Sequence, residues 1–160
     1  MIFKYKATIP ESKTFVREYE VKSDMNLFKF NSFILNDLGF APDQMVIFRG
    51  IDANGVLCSD YGLFDLGDGS MDKVTFADVV AKGETELQYC YDVRNDRVIK
   101  LLYEGEEEGS PRYSYPRTTF EKGRNPDQFS KKYEDFDEFE EFNHGFGEEV
   151  EEVVGEDNDE

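Results

Sequence analysis

The sequence predicts an α+β fold: a ββαββαββ roll, β-grasp-like, with two helices on a mainly antiparallel sheet and an acidic C-terminal tail. Three observations predict it. Segments of alternating apolar and polar residues recur in pairs separated by short polar turns. Another segment carries apolar residues at helical spacing and ends on a glycine, and a shorter one opens on a capping arrangement and also ends on a glycine. The charge is also split. Of a formal net charge of -18, residues 104–160 hold 20 acidic against 6 basic side chains (-14), and residues 1–103 hold 16 against 12 (-4).

The elements follow in order. Residues 2–9 place Phe3, Tyr5, Ala7 and Ile9 on one face and Lys4, Lys6 and Thr8 on the other. Residues 14–22 repeat the pattern, with Phe15, Arg17, Tyr19 and Val21 opposite Val16, Glu18, Glu20 and Lys22. The short stretch from Pro10 to Lys13 makes the pair a hairpin. A helix follows, with Ser23 or Asp24 as the expected N-cap and Gly39 as its left-handed end. Its apolar stripe is Leu27, Phe30, Phe33/Ile34 and Leu38. Met45–Ile51 and Val56–Tyr61 flank Asp52-Ala53-Asn54-Gly55, where Asn-Gly suits a tight turn with positive φ at both residues. Residues 62–73, with three glycines and three aspartates, read as a loop. Thr75 and Asp78 resemble a capping box opening a short second helix that Gly83 closes. Residues 85–92 and 97–103 form the last hairpin across Arg94-Asn95-Asp96.

The division is therefore an α+β domain at 1–103, an extension at 104–132 and an acidic aromatic tail at 133–160. About 100 residues bury roughly 60–70% of the surface the unfolded chain exposes, enough for one core. With 15 Phe, 9 Tyr and no Trp, that core is expected to be aromatic. In the extension, Tyr113, Tyr115 and Phe120 are available to pack back on the domain.

The order of these residues resembles the plasmid pRiA4b ORF-3-like proteins over most of residues 2–103. Phe15-Val16-Arg17 looks like that family's aromatic-Arg strand. The run from Leu27 to Phe40 is similar to its Leu-His helix ending in Gly-Trp. Gln44 to Phe48 stands where a His-Leu-His-x-Phe strand belongs, and Tyr91 to Ile99 where a Tyr-Asp-Phe-Gly-Asp-x-Trp-x-His hairpin belongs. The Tyr115-Pro116-Arg117 and Gly123 to Gln128 segments look like a family C-terminal extension. The family's histidine positions are filled here by Asn31, Gln44, Val46 and Ile99, its tryptophans by Phe40 and Arg97, and its Gly-Asp turn by Arg94-Asn95. The resemblance thus implies a small β-grasp-like roll and an association with mobile elements. It carries no histidine-based site onto this chain.

The chemistry that remains is sparse. Asp92 is the candidate for acid–base work, with Arg17 as a charge partner. The structural alternative has Asp92 holding the turn of the last hairpin and Arg17 on a solvated strand face. Cys58 and Cys90 are expected to be buried free thiols. One histidine, His144, leaves a Cys/His zinc site short of ligands. The loop from Asp65 to Asp72 is rich in oxygen ligands but lacks EF-hand spacing. No phosphate-binding glycine motif occurs, so no cofactor and no metal are expected. The negative charge disfavours direct nucleic-acid binding. The N-terminus alternates rather than forming a signal, and no run approaches the ~20 apolar residues of a membrane span. No membrane association is expected, and the expected location is cytoplasmic.

The tail contains the one periodic functional signal. Tyr133, Phe136, Phe139 and Phe142 recur every third residue in an acidic background, one stripe on a helix. Such a segment binds a basic or apolar groove of a partner, docks on its own domain, or only solvates the chain. Glu148–Glu160, with three apolar residues, is expected to be disordered. The expected function is a non-catalytic protein-interaction module with an unknown protein partner, a basic one being among the options. The alternatives are an enzyme using Asp92 and Arg17 in a cleft, or a nucleic-acid mimic that engages a basic DNA-binding protein.

Overall fold

A computed structural model describes residues 1–129. The chain folds as an α+β structure with one seven-stranded antiparallel sheet and two helices. The strands are β1 (Ile2–Thr8), β2 (Val16–Lys22), β3 (Ile47–Ile51), β4 (Leu57–Tyr61), β5 (Glu86–Asp92), β6 (Arg97–Glu107) and β7 (Arg117–Lys122). Helix α1 (Leu27–Leu38) lies between β2 and β3, and α2 (Phe76–Ala81) between β4 and β5. The sheet order is β4-β3-β5-β6-β1-β2-β7. The β1–β2 hairpin supplies the pairing Tyr5↔Tyr19, and the β5–β6 hairpin reaches it through Tyr5↔Tyr103.

The period-2 pattern sends Phe3, Tyr5 and Ala7 of β1 and Tyr19 and Val21 of β2 into one buried face. Both helices cover that face. Phe30 of α1 sits at the meeting point: its ring centroid lies 5.6 Å from Tyr19, 6.3 Å from Phe48 and 5.3 Å from Phe76 of α2. Edge-to-face and tilted ring pairs of this kind add about 0.5–1.5 kcal/mol each beyond their area burial. Two of the buried tyrosine hydroxyls have side-chain partners: Tyr89 donates to Asn31 Oδ1 (2.5 Å) and Tyr19 to Asp37 Oδ2 (3.1 Å).

Four details differ from the expectations. Helix α1 is capped by Asn26, whose side chain accepts from the Lys29 N–H at 2.8 Å, and not by Ser23 or Asp24. Residues 23–25 instead make a turn that buries Met25 in the core. In the β3–β4 turn only Gly55 has positive φ (81°). Asp52 closes that turn with its side chain, accepting from the N–H groups of Asn54 and Val56. Cys90 is buried, but Cys58 is exposed because it sits outward on an edge strand. Finally, β6 runs to Glu107, and a seventh strand, β7, pairs with β2 from Val16↔Lys122 to Glu20↔Arg117.

Candidate functional site

The two residues singled out for chemistry do not meet. Asp92 ends β5 at the mouth of a crevice of about 520 Å³, lined also by Gln44, Met45, Arg94, Gln128 and Phe129. Its two carboxylate oxygens accept from Asn95, one from the backbone N–H (3.2 Å) and one from the side-chain amide (2.9 Å). That is the turn-holding arrangement. Arg17 lies on the inward face of β2, 2% exposed, and does not line this crevice. Its guanidinium donates to the carbonyls of Val16, Lys122 and Gly123 and to Asn125 Oδ1, and stacks 4.4 Å from the Phe15 ring centroid. Arg17 is therefore neither solvated nor a partner of Asp92.

Arg17 belongs to a clamp that the sequence did not reveal. The segment from Gly123 to Phe129 crosses the end of the molecule as a strap, held by a second buried arginine, Arg97. That guanidinium is 4% exposed, donates to the Asp127 carbonyl at 2.8 Å and lies 4.9 Å from the Tyr91 ring centroid. Gln128 completes the clamp: its Oε1 accepts from the Ala41 N–H (2.6 Å) and its Nε2 donates to the Ala41 carbonyl (3.1 Å). Five N–H donors in a rigid fork suit arginine to holding irregular backbone, whose carbonyls lack a strand partner. The strap delivers the chain, at Phe129, to the rim of the Asp92 crevice. The stripe residues Tyr133, Phe136, Phe139 and Phe142 lie outside the described residues.

Beside the crevice, and sharing Gln44 and Met45 with it, is an apolar groove of about 350 Å³. One wall is the stretch before β3, with Pro42, Met45 and Val46; the other is the loop after β4, with Leu63, Phe64 and Leu66. Phe64 is 83% exposed, Met45 67% and Phe129 69%. Apolar residues grouped this way mark contact surfaces more often than isolated exposed ones do. No sequence pattern pointed to the groove, because neither wall is periodic and they are brought together only by the pairing of β3 with β4. The Asp65 carboxylate in the second wall accepts from the N–H groups of Gly67 (2.7 Å) and Gly69 (3.0 Å), which hold it below the usual carboxylate range. It shapes a loop. Among the described residues no group of three or more His, Cys, Asp or Glu is placed to hold a metal ion.

A buried polar cluster also escaped the sequence reading. Glu84, 1% exposed, accepts from the hydroxyls of Ser59 and Tyr61, both at 2.5 Å. Lys82 donates to Tyr61 Oη (2.8 Å) and Ser59 Oγ (3.1 Å). Burial, followed by the hydrogen bond to Glu84, pushes the Tyr61 phenol above its ordinary range. Serine and lysine in contact suggest nucleophile chemistry, but Ser59 is 5% exposed and does not line the depression beside Lys82. The one available signal was Gly50 inside a strand, which marks a close approach by another group.

No family model matches the chain, and no curated protein matches it. Among solved structures, the fold is similar to the crystal structure of a protein of unknown function from Methanosarcina mazei Go1. The TM-score is 0.65 at 16% identity, over 78% of this chain and 70% of that one. At that identity the similarity is one of fold. No helix among the described residues is long and apolar enough to cross a membrane.

Proposed function

We propose that this chain is a cytoplasmic, non-catalytic protein-interaction module, a β-grasp-like roll of the pRiA4b ORF-3-like kind whose acidic aromatic tail takes part in binding. One observation carries the reading. Where the strap ends, Met45, Phe64 and Phe129 present exposed apolar surface at the start of the acidic aromatic segment. The residues offered for chemistry, by contrast, are occupied in holding backbone: Asp92 on Asn95, Arg17 on the strap. The resemblance in the Leu27–Phe40 and Tyr91–Ile99 segments supports the family assignment.

The test replaces Phe136, Phe139 and Phe142 by Ser in the full chain and compares captured partners quantitatively with the unaltered protein. Partners recovered by the unaltered chain are expected to fall at least tenfold, since three ring burials at about 1.5–3 kcal/mol each are removed. An unchanged partner list refutes the proposal. A second reading, an enzyme at Asp92, is favoured by the crevice that reaches this carboxylate. A small molecule that shifts the Asp92 resonances and is turned over would establish it.

A further inference from the structure

We infer that the apolar groove between residues 42–47 and 62–66 binds a cationic amphipathic peptide segment. Its apolar side chains enter between Met45 and Phe64, and its lysines or arginines face the aspartates of both walls. This names the partner chemistry of the interaction-module reading and rests on it.

Three properties of the groove lead to this occupant. The first is unpartnered apolar area: Leu63, Phe64, Leu66 and Met45 are 43%, 83%, 57% and 67% exposed within one concavity. The second is that its longer wall is already ordered. The Met71 N–H donates to the Gly62 carbonyl (2.8 Å), the Met71 carbonyl accepts from Phe28 N–H of α1 (3.1 Å), and the Met71 side chain is fully buried. With Asp65 bonded to Gly67 and Gly69 inside this loop, little ordering entropy remains to be lost on binding. The third is charge. Asp43 lines the groove, Asp65 stands between its lining residues Phe64 and Leu66, and no lysine or arginine lines it.

Charge decides between occupants. The chain's own segment from Tyr133 begins four residues after Phe129, about 13 Å of extended chain, so reach does not exclude it. Docking it there would set Glu134, Asp135 and Asp137 against the wall aspartates, and like-charge contacts of that kind disfavour a partner. A second copy of this chain brings the same -18. A segment with apolar side chains flanked by cations satisfies both the groove and its rim.

The probe is a synthetic leucine/lysine peptide with its leucines on one helical face, titrated into the full-length protein. Its binding is followed by fluorescence anisotropy and by the Met45 methyl resonance. The expected result is saturable binding with a shifted Met45 methyl, weakened about tenfold or more in the double variant Met45→Ser/Phe64→Ser. Both side chains are exposed, so the fold is not at stake. Asp43→Asn should weaken binding several-fold at low salt and by less at high salt. Equal binding by a scrambled leucine/lysine peptide, or unaltered binding by the double variant, would show bulk charge attraction and overturn the inference. So would equal binding of a leucine/glutamate analogue. A Met45 methyl already displaced by the chain's own tail, seen as a shift on Tyr133→Ser/Phe136→Ser without peptide, overturns it in favour of self-docking. Failure here alongside partner capture that still depends on Phe136, Phe139 and Phe142 removes the groove and leaves the module reading standing.

Discussion

At the residue scale, the closest approach to a glycine among the described residues is that of Glu84 to Gly50. A Cβ placed on Gly50 would stand 2.2 Å from Glu84 Oε1 and 2.3 Å from its carboxyl carbon. A surface carboxylate would swing aside. This one is fixed from both oxygens by Ser59 and Tyr61, and Lys82 braces those hydroxyls while lying 4.8 Å from the Tyr61 ring centroid. Displacing it leaves a buried acid and two hydroxyls short of partners, at about 1–3 kcal/mol for each group stranded. Gly50→Ala is therefore expected to lower the unfolding free energy by about 2–3 kcal/mol, read as a fall in the urea midpoint at constant slope. Combined with Glu84→Ala, its further cost should shrink to a few tenths of a kcal/mol, because the clash partner is gone. A Gly50→Ala variant of unaltered midpoint would show that the carboxylate relocates freely.

At the element scale, β7 and the strap behind it are the least conventional part of the sheet. Arg117–Lys122 has no buried residue; Phe120 is 47% exposed. Its attachment rests on the ladder to β2, the Arg117–Glu20 ion pair (2.8 Å) and the Arg17 clamp at its far end. Gly123 makes that clamp possible. Its φ is +81°, and a Cβ there would lie 2.7 Å from the Thr14 carbonyl oxygen and 2.9 Å from the Phe15 Cα. Both are backbone, so neither yields. Gly123→Ala should release β7 while leaving β1–β6 paired, seen as amide exchange in 117–122 accelerating at least tenfold with little change in β5 and β6. Uniform acceleration across the sheet would instead mean that β7 unfolds only with the whole. The same strand shows where the sequence stops being legible. The hairpins β1–β2, β3–β4 and β5–β6 and both helices follow from alternation, stripe and caps, because each buries one face. β7 buries none, so it leaves no alternation to find. The buried arginines Arg17 and Arg97 are invisible for a related reason: a strand pattern tells which face a residue joins, not that a guanidinium there will meet irregular backbone more than 100 positions away in Arg17's case. The groove, made of two aperiodic stretches, is legible only once β3 and β4 are paired.

At the scale of the whole molecule, the aromatic core ties the fold to alkaline pH. Burial is the main cause that pushes up the phenols of Tyr5, Tyr19 and Tyr89, and it raises Tyr91 to about 12. These rings belong to β1, β2 and β5, so they report on most of the sheet. Their unfolded value is near 10.0. A folded pKa above the unfolded one contributes stability that is fully present below pH 10 and lost as the pH rises through the folded value, because only the unfolded chain then sheds the protons. Each such group removes about 1.4 kcal/mol per pH unit above 10, so four together remove roughly 5 kcal/mol per unit. Against a total of about 5–15 kcal/mol, the sheet should unfold within about one to three units of pH 10. The net charge of -18, growing as lysines deprotonate, brings that point lower, and added salt moves it back up by screening. Near-ultraviolet tyrosinate absorbance should therefore rise in two stages. An early rise precedes a steep second step, which coincides with loss of the far-ultraviolet circular dichroism as Tyr5, Tyr19 and Tyr89 leave the core. One smooth titration of all nine tyrosines around pH 10, with the dichroism unchanged, would mean that hydroxide reaches rings that the core is built to exclude from water.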